Sequence, residues 1–385
     1  MKFAFLIFKY FPYGGMQRDM LRTANELVKR GHTVEIYCMS WSGDLPVGGI
    51  QVHVMPATGL FNYLRYQKFI ANAQAAIRQA GNIDYIFGYN RMTGLDAHFA
   101  ADPCFRERAS HRGFLYRWLP RVKWFAECER VIFDAKAETH ILMVSEVEKV
   151  HFQHWYQTPE ARFHFIPPYL SKARFELQDK AAMRSHLRNT FGFDKEDFVF
   201  MLTGSGFHMK GLDRAIRALA ALPADYLNRV KLLAVGQDNP KPFENMAKKL
   251  GVASNLVISK GRPDIPQLMQ GADICVHPAY RENTGLVILE ALASGTPMLV
   301  TESCGYAHHV AESGAGKVMP LPFDQAQFNG FFKQMIDSAD KQIWARNGLA
   351  HAQLLMEQND GSAEANILIR LAEQKVSRQN KVMNA

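Results

Sequence analysis

Two separate stretches of this chain alternate amphipathic helical segments with short runs that are apolar at nearly every position. A strand that alternates apolar and polar residues can leave one face to water, whereas one that is apolar throughout must be covered on both. Parallel sheets with helices packed on either side meet that demand. In the first stretch "KFAFLIF" leads into a helical pattern from Gly15 that Gly31 ends, followed by "TVEIYCM", a helix near residues 63 to 80, "YIFGYN" and "ILMVS". The pattern restarts after "FIPPYL", with "DFVFMLTGSG", "VKLLAVGQ", "NLVISKGR" and "DICVHPA" as strands and helical segments between them. The expectation is two doubly wound Rossmann-like domains, residues 1–167 and 168–360. An amphipathic helix in 361–385 is placed to cross back to the first domain.

A chain of 385 residues exceeds one ordinary core, which agrees with that division. Its 48% hydrophobic and 21% charged content excludes a disordered chain. The opening "MKFAFLIFKYFPYGG" has only six apolar residues before Lys9 and no small-residue cleavage site, so a buried first strand is expected rather than a leader. No run of 18 apolar residues occurs, so no membrane-spanning helix is expected. Five scattered cysteines without a CxxC pair read as reduced thiols. No Asp-x-Asp and no His/Cys group with ligand spacing stands out, so neither a metal nor another cofactor is expected.

Ligands of open parallel sheets bind beyond the carboxyl ends of the strands, and the suggestive residues fall there. Gly14-Gly15 follows the first strand. "TGSGFHMKG" follows the first strand of the second set. It lacks the Gly-Lys-Ser/Thr of a Walker loop, and Met209 stands where a dinucleotide fingerprint has its third glycine. What is left is a glycine loop containing Gly206, one lysine (Lys210) and a helix N-terminus, which together can hold a diphosphate. A plain tight turn explains the same residues equally well. "YRENTGLVILEALASGTP" then sets Glu282 and Glu290 eight residues apart across a helix start, with Gly295 and Pro297 ending the helix. Eight helical residues rise about 12 Å, close to the length of a sugar diphosphate. Chance spacing on a surface helix is the plainer alternative.

Taken together these residues resemble the GT-B glycosyltransferases of family 4, in which Glu-x7-Glu marks the retaining donor site. The resemblance implies two Rossmann-like domains facing each other across a cleft. It implies that Glu282, with Asn283, Thr284 and Gly285, holds the donor sugar, and that Glu290 holds the ribose. Lys210 would neutralise the diphosphate with Gly206 beside it, Gly15 would cap it, and Arg262 in "SKGRPDIPQL" would lie near the nucleobase. Many members carry an arginine where Ser205 stands here. The strings "KYFPYGGMQRDM", "GYNRMTGLDAHFAAD", "HPAYRENTG" and "CGYAHHVAE" narrow the resemblance to members that add glucose to the first heptose of the lipopolysaccharide inner core. UDP-glucose as a substrate, a lipopolysaccharide inner-core acceptor, retention of configuration and a cytoplasmic enzyme follow as expectations. Asp19 and Asp102 are candidates for orienting the acceptor. Asp19 reads equally as a helix-dipole partner, and a structural role fits Asp102 as well.

Residues 104–133 carry seven Arg/Lys against three Glu, half of the chain's net +8, together with seven aromatics. Basic residues interleaved with large apolar ones suit an anionic bilayer surface, here the cytoplasmic face of an inner membrane. Arg112, Arg117, Trp118, Arg121, Lys123 and Trp124 are the expected contacts. A core helix with a solvated basic face is the plainer reading. No nucleic-acid motif accompanies the patch, so no nucleic-acid partner is expected. Two rival functions share these features: a nucleotide-sugar 2-epimerase of the same architecture, and a non-catalytic basic binding module.

Overall fold

The computed structural model describes residues 1–12 and 14–383, so Tyr13 of the quoted glycine string and the last two residues of the C-terminal segment lie outside it. The chain forms two compact units: Met1–Pro167 together with the segment from Asp360 onward, and Pro168–Asn359.

The first unit holds a seven-stranded sheet. In chain order its strands are β1 (Lys2–Tyr10), β2 (Thr33–Trp41), β3 (Ile50–Val54), β4 (Tyr85–Gly88), β5 (Ala97–Ala100), β6 (His140–Met143) and β7 (Phe163–Phe165). They lie side by side as β3-β2-β1-β4-β5-β6-β7, and every pairing is parallel. The apolar runs do what their composition requires. Phe3, Phe5 and Ile7 enter one core with Leu27, Leu368 and Leu371, while Ala4 and Leu6 enter a second with Phe69 and Ile132. The helices Gly15–Lys29 and Ala363–Met383 therefore cover one face, and Asn62–Ala80 and Pro120–Phe133 the other. Each fully buried Phe or Leu on these faces contributes about 1.5–3 kcal/mol.

The second unit repeats the plan with six strands. They are β8 (Phe198–Thr203), β9 (Val230–Val235), β10 (Leu256–Ser259), β11 (Ile274–His277), β12 (Met298–Thr301) and β13 (Gly316–Met319), in the parallel order β10-β9-β8-β11-β12-β13. Val199 and Met201 of β8 pack toward Ile288, Leu289 and Leu355, and Phe200 and Leu202 toward Ile216 and Phe332. β8 and β11 are adjacent where the strand order reverses, so the loops leaving them emerge together. That is where an open parallel sheet opens a crevice.

The strands β3, β5, β7, β12 and β13 escaped the sequence reading: each is only three to five residues long, and none stands out as a longer apolar run such as those that disclose β1 and β8. The C-terminal helix packs Leu368, Leu371 and Ala372 into the first unit's core.

Candidate active site

The loop after β8 is built on glycine. Gly204, Gly206 and Gly211 have φ of 121°, 83° and 77°, a region that a side chain strongly disfavours. At Gly211 a Cβ would also lie 2.0 Å from the carbonyl oxygen of Pro278, so the β8 and β11 loops touch through backbone. The turn closes with Lys210 N–H donating to Gly206 O at 2.9 Å, and the helix Leu212–Ala220 begins two residues later. Arg214, on that helix, fastens the β11 exit. Its guanidinium lies 3.7 Å from the Tyr280 ring and donates to the carbonyls of Pro278 and Ala279 at 3.1 and 3.0 Å.

Glu282 stands in the loop after β11 and meets Lys210, whose Nζ donates to Glu282 Oε2. The pair is 72 residues apart in sequence. His277, the last residue of β11, is 1% exposed and brings Nε2 to 3.5 Å from the same oxygen, the outer edge of hydrogen-bonding reach. Neither ring nitrogen makes a closer hydrogen bond. Burial pushes the Glu282 carboxyl up, but the His277 contact and the Lys210 charge overcome it and hold the group at about 2. Burial also pushes the His277 imidazole down, so at neutral pH the ring acts through its N–H dipole and Lys210 is the cation.

The loop carrying Glu282 is fixed on its other side by the segment after β12. Glu282 N–H donates to Ser303 O at 3.1 Å, Gly305 N–H to Glu282 O at 3.0 Å, and Tyr306 N–H to Thr284 O at 2.8 Å. Asn283 is buried within this frame. Gly285 takes φ 82° and precedes the helix Leu286–Ala293. The stop is the predicted one. Gly295 adopts φ 65°, its N–H bonds to Leu292 O, and Thr296 N–H bonds back to Ala291 O. Glu290 projects from the second turn of this helix and is 9% exposed.

Arg262, in the loop after β10, gives its guanidinium to Asp264 through two hydrogen bonds of 2.8 Å. Those bonds hold the Asp264 carboxyl at about 2. The Arg262 side chain is thereby engaged with its own loop, and a ligand there would meet mainly backbone. At Ser205 the hydroxyl accepts from Gln237 N–H at 3.2 Å, and the cation acting on Glu282 is Lys210.

In the first unit, neither Gly14 nor Gly15 has positive φ, which removes special dihedrals as the reason for the pair. At Gly14 a Cβ would collide with Gln17 at 1.8 Å, whereas one at Gly15 would meet nothing within 4 Å. Packing explains Gly14, and Gly15 stays open to close approach. Asp19 lies in the second turn of its helix, beyond the reach of the dipole. It pairs with Arg22 at 2.5 Å, and Arg22 continues to Glu364 at 3.5 Å. Asp102 is exposed in the loop after β5, and its carbonyl accepts from Arg91 at 2.9 Å. Arg91 also pairs with Glu129 at 3.1 Å. The fully buried Glu129 carboxylate accepts from the backbone N–H groups of Phe105 and Arg106 and from Tyr156 Oη, so the loop carrying Asp102 is rigidly held. Sequence inspection gave no sign of Glu129, His277 or Glu364 as organising residues, since each partner is distant along the chain or reads as ordinary core.

The basic aromatic segment is not one helix. It divides into Phe105–Ser110, a 3-10 turn at Phe114–Trp118, and Pro120–Phe133. The turn exposes Phe114 (71%), Leu115 (80%) and Trp118 (60%), and Arg112, Arg117, Arg121 and Lys123 are exposed around it. Lys123 Nζ sits 4.5 Å from the Trp118 ring centroid. Trp124 differs from the expectation: it is half-buried against Phe125, Tyr63 and Tyr66 and packs on the core. No helix among the described residues is long and apolar enough to cross a membrane.

One group runs against the reading that no metal-ligand cluster exists. His308, His309 and Glu312 bring one ligand atom each within 4.8 Å of the others.

Comparison with known proteins places this geometry. Residues 183–348 match the family described as glycosyl transferases group 1, and residues 13–171 match glycosyltransferase family 4. The chain is 39% identical over 351 residues to the lipopolysaccharide glucosyltransferase WaaG of Escherichia coli (strain K12), covering 91% of this chain and 93% of that protein. A crystal structure of WaaG, a glycosyltransferase involved in lipopolysaccharide biosynthesis, aligns at 37% identity with a TM-score of 0.89 over 95% of this chain and 99% of that one. Anabaena HepE in complex with UDP-glucose shares the fold at 18% identity, with a TM-score of 0.70 over 99% of this chain and 100% of that one.

Proposed function

Since the chain belongs to the family 4 glycosyltransferases of GT-B fold, we propose that it is a lipopolysaccharide glucosyltransferase, moving glucose from UDP-glucose to the first heptose of the inner core with retention of configuration. The observation that carries the reading is Lys210 bonded to Glu282 in the crevice between the β8 and β11 loops, within a chain so similar to WaaG. In this structure Lys210 and Glu282 satisfy each other. A donor diphosphate competes for Lys210, and Glu282, still ionised, turns its oxygens to the sugar hydroxyls. Asn283, Thr284 and Gly285 present backbone beside it, and Glu290 is assigned to the ribose hydroxyls. Gly206 is assigned to the diphosphate, and the backbone around Arg262 to the base.

Transfer passes through an oxocarbenium-like state while negative charge grows on the leaving diphosphate. Lys210 and the N–H groups at the start of Leu212–Ala220 stabilise that charge, commonly the largest single term in such reactions. The acceptor hydroxyl attacks from the face the diphosphate leaves, the C–O bond to phosphate breaks as the new one forms, and a leaving phosphate oxygen takes the hydroxyl proton. Within this scheme the steps rest on Lys210, Glu282 and backbone, so catalysis is proposed to need no metal. Asp102 is the better placed of the two aspartates to orient an acceptor, because Asp19 is committed to Arg22. The exposed turn Phe114–Trp118, with its ring of arginines, supports a peripheral position on an anionic membrane surface, where the lipid acceptor resides. Nothing in the site favours the epimerase or the binding module.

The test is incubation of truncated lipopolysaccharide with a panel of radiolabelled nucleotide sugars. Label from UDP-glucose should enter the lipid, and transfer should persist in excess EDTA. Incorporation from another donor alone, or interconversion of the donor without acceptor, would overturn the reading.

A further inference from the structure

We propose that His308, His309 and Glu312 bind one divalent transition-metal ion of the zinc type, with His351 orienting His309, and that this ion braces the loop carrying Glu282. The three ligand residues lie on the short helix Ala307–Ser313, and one donor atom from each is within 4.8 Å of the other two. Zinc–nitrogen bonds of about 2.0–2.1 Å place tetrahedral ligand atoms roughly 3.4 Å apart, so side-chain rotation of about an ångström closes the set. Two imidazoles and a carboxylate suit zinc, cobalt or nickel, and suit magnesium or calcium poorly.

The hydrogen bonds around the rings point to a ligand. His308 Nδ1 lies 2.8 Å from the carbonyl oxygen of Gly305, which can only accept, so the proton is on Nδ1 and the lone pair on Nε2. His309 Nδ1 lies 2.8 Å from His351 Nε2. With His309 donating, its Nε2 is also left with a lone pair. Metal-ligating histidines typically give their second N–H to a carbonyl or another acceptor, which fixes ring and tautomer. Such an arrangement has no evident packing purpose: His308 and Glu312 are exposed and could be any polar residue.

The site is coupled to the donor loop through Gly305. This residue accepts the His308 proton with its carbonyl and holds the Glu282 carbonyl with its N–H at 3.0 Å. Tyr306 N–H holds Thr284 in the same way at 2.8 Å. An ion that pins His308 also pins the segment against which Glu282 and Thr284 rest. His351 belongs to the helix Lys341–Gln358, so the ion additionally ties that helix to the loop.

The experiment uses the full chain without an affinity tag, stripped with EDTA and titrated with Co2+, then Zn2+, with Mg2+ as control. One Co2+ per chain should give the visible absorption of a four- or five-coordinate nitrogen–oxygen site, and Zn2+ should displace it. Zn2+ at about 100 times its dissociation constant should raise Tm by roughly 5 °C or more, and Mg2+ should not. His308→Ala and Glu312→Ala, both at exposed positions, should keep the metal-free Tm and weaken Co2+ binding at least about tenfold. His351→Ala should weaken it about tenfold by releasing His309. Binding that is unchanged in both His308→Ala and Glu312→Ala, the absence of a Co2+ spectrum, or a Tm indifferent to Zn2+ would overturn the proposal. None of these readouts depends on sugar transfer.

Discussion

Glu282 in the second unit, partly buried, and Glu364 in the first, fully buried, are both carboxylates that face a cation, yet one is held at about 2 and the other pushed up to about 7. The difference lies in the company each keeps. Lys210 has one carboxylate to serve, and His277 adds an N–H dipole to the same oxygen. Arg22 is shared: it bonds Asp19 at 2.5 Å and reaches Glu364 only at 3.5 Å. Burial dominates at Glu364, Arg22 opposes it, and the negative charge of Asp19 adds to it. Tyr89 Oη donates to Glu364 at 2.6 Å and lowers the carboxyl, but not back to its ordinary range. Burial thus sets no fixed fate for a carboxylate. An undivided cation in contact keeps it anionic and useful to a donor sugar, whereas a divided one leaves a clasp between a C-terminal helix and the sheet that is protonated below about pH 7.

The largest expected effect tests the anionic side of that comparison. Glu282→Ala should lower transfer by more than about a thousandfold while the Tm stays within a few degrees, because a loop carboxylate contributes little to packing. A variant that turns over at the wild-type rate with saturating donor would remove Glu282 from the site. Lys210→Ala comes next. Losing one preorganised electrostatic contact costs about 2–4 kcal/mol, a drop of roughly 30- to 1000-fold in kcat. A loss below threefold would mean that another group answers the leaving charge.

Glu364 should show itself in stability. Its folded carboxyl lies at about 7, above its ordinary value of 4.5, so the stability it confers is complete below 4.5 and is lost as pH rises through 7. A shift of that size corresponds to about 3 kcal/mol. Glu364→Gln should flatten the fall in stability between pH 4.5 and 8, measured by urea denaturation. Glu282 has the opposite sign: its contribution is present above 4.5 and lost as pH falls toward 2. A variant whose pH profile parallels the wild type would show that Glu364 is ionised after all. The smallest effect per residue concerns the surface. Arg117, Arg121 and Lys123 are each worth about 1 kcal/mol near anionic lipid, a term screened within a Debye length. Replacing all three by Gln should abolish most low-salt binding to anionic vesicles and leave turnover on a soluble acceptor fragment unchanged. Full vesicle binding by that variant would make the segment a solvated face.

The elements that could be read from sequence are those whose signal is local. Apolar runs such as Phe3–Ile7 disclose a strand covered on both faces, and Gly295 followed by Pro297 discloses a helix end. The spacing of Glu282 and Glu290 across a helix start is local too. What stayed hidden depends on partners brought together by folding. Lys210 meets Glu282 across 72 residues, Tyr89 meets Glu364 across 275, and His309 meets His351 across 42. His277 looked like an ordinary polar residue at a strand end. Trp124 looked like part of a membrane face because composition cannot tell which side of a helix turns inward. The break of the basic segment into a 3-10 turn was invisible for the same reason, since its exposed Phe114 and Leu115 resemble core residues in sequence.

If Glu282 holds the sugar while Lys210 holds the diphosphate, calorimetric titration of Glu282→Gln with UDP separates the two roles. UDP carries no sugar, and in the variant Lys210 no longer has a carboxylate to leave. UDP affinity should equal the wild type or be up to about tenfold tighter, alongside loss of glucose transfer. UDP affinity that falls together with transfer would contradict it, since Glu282 would then be supporting the nucleotide site as a whole.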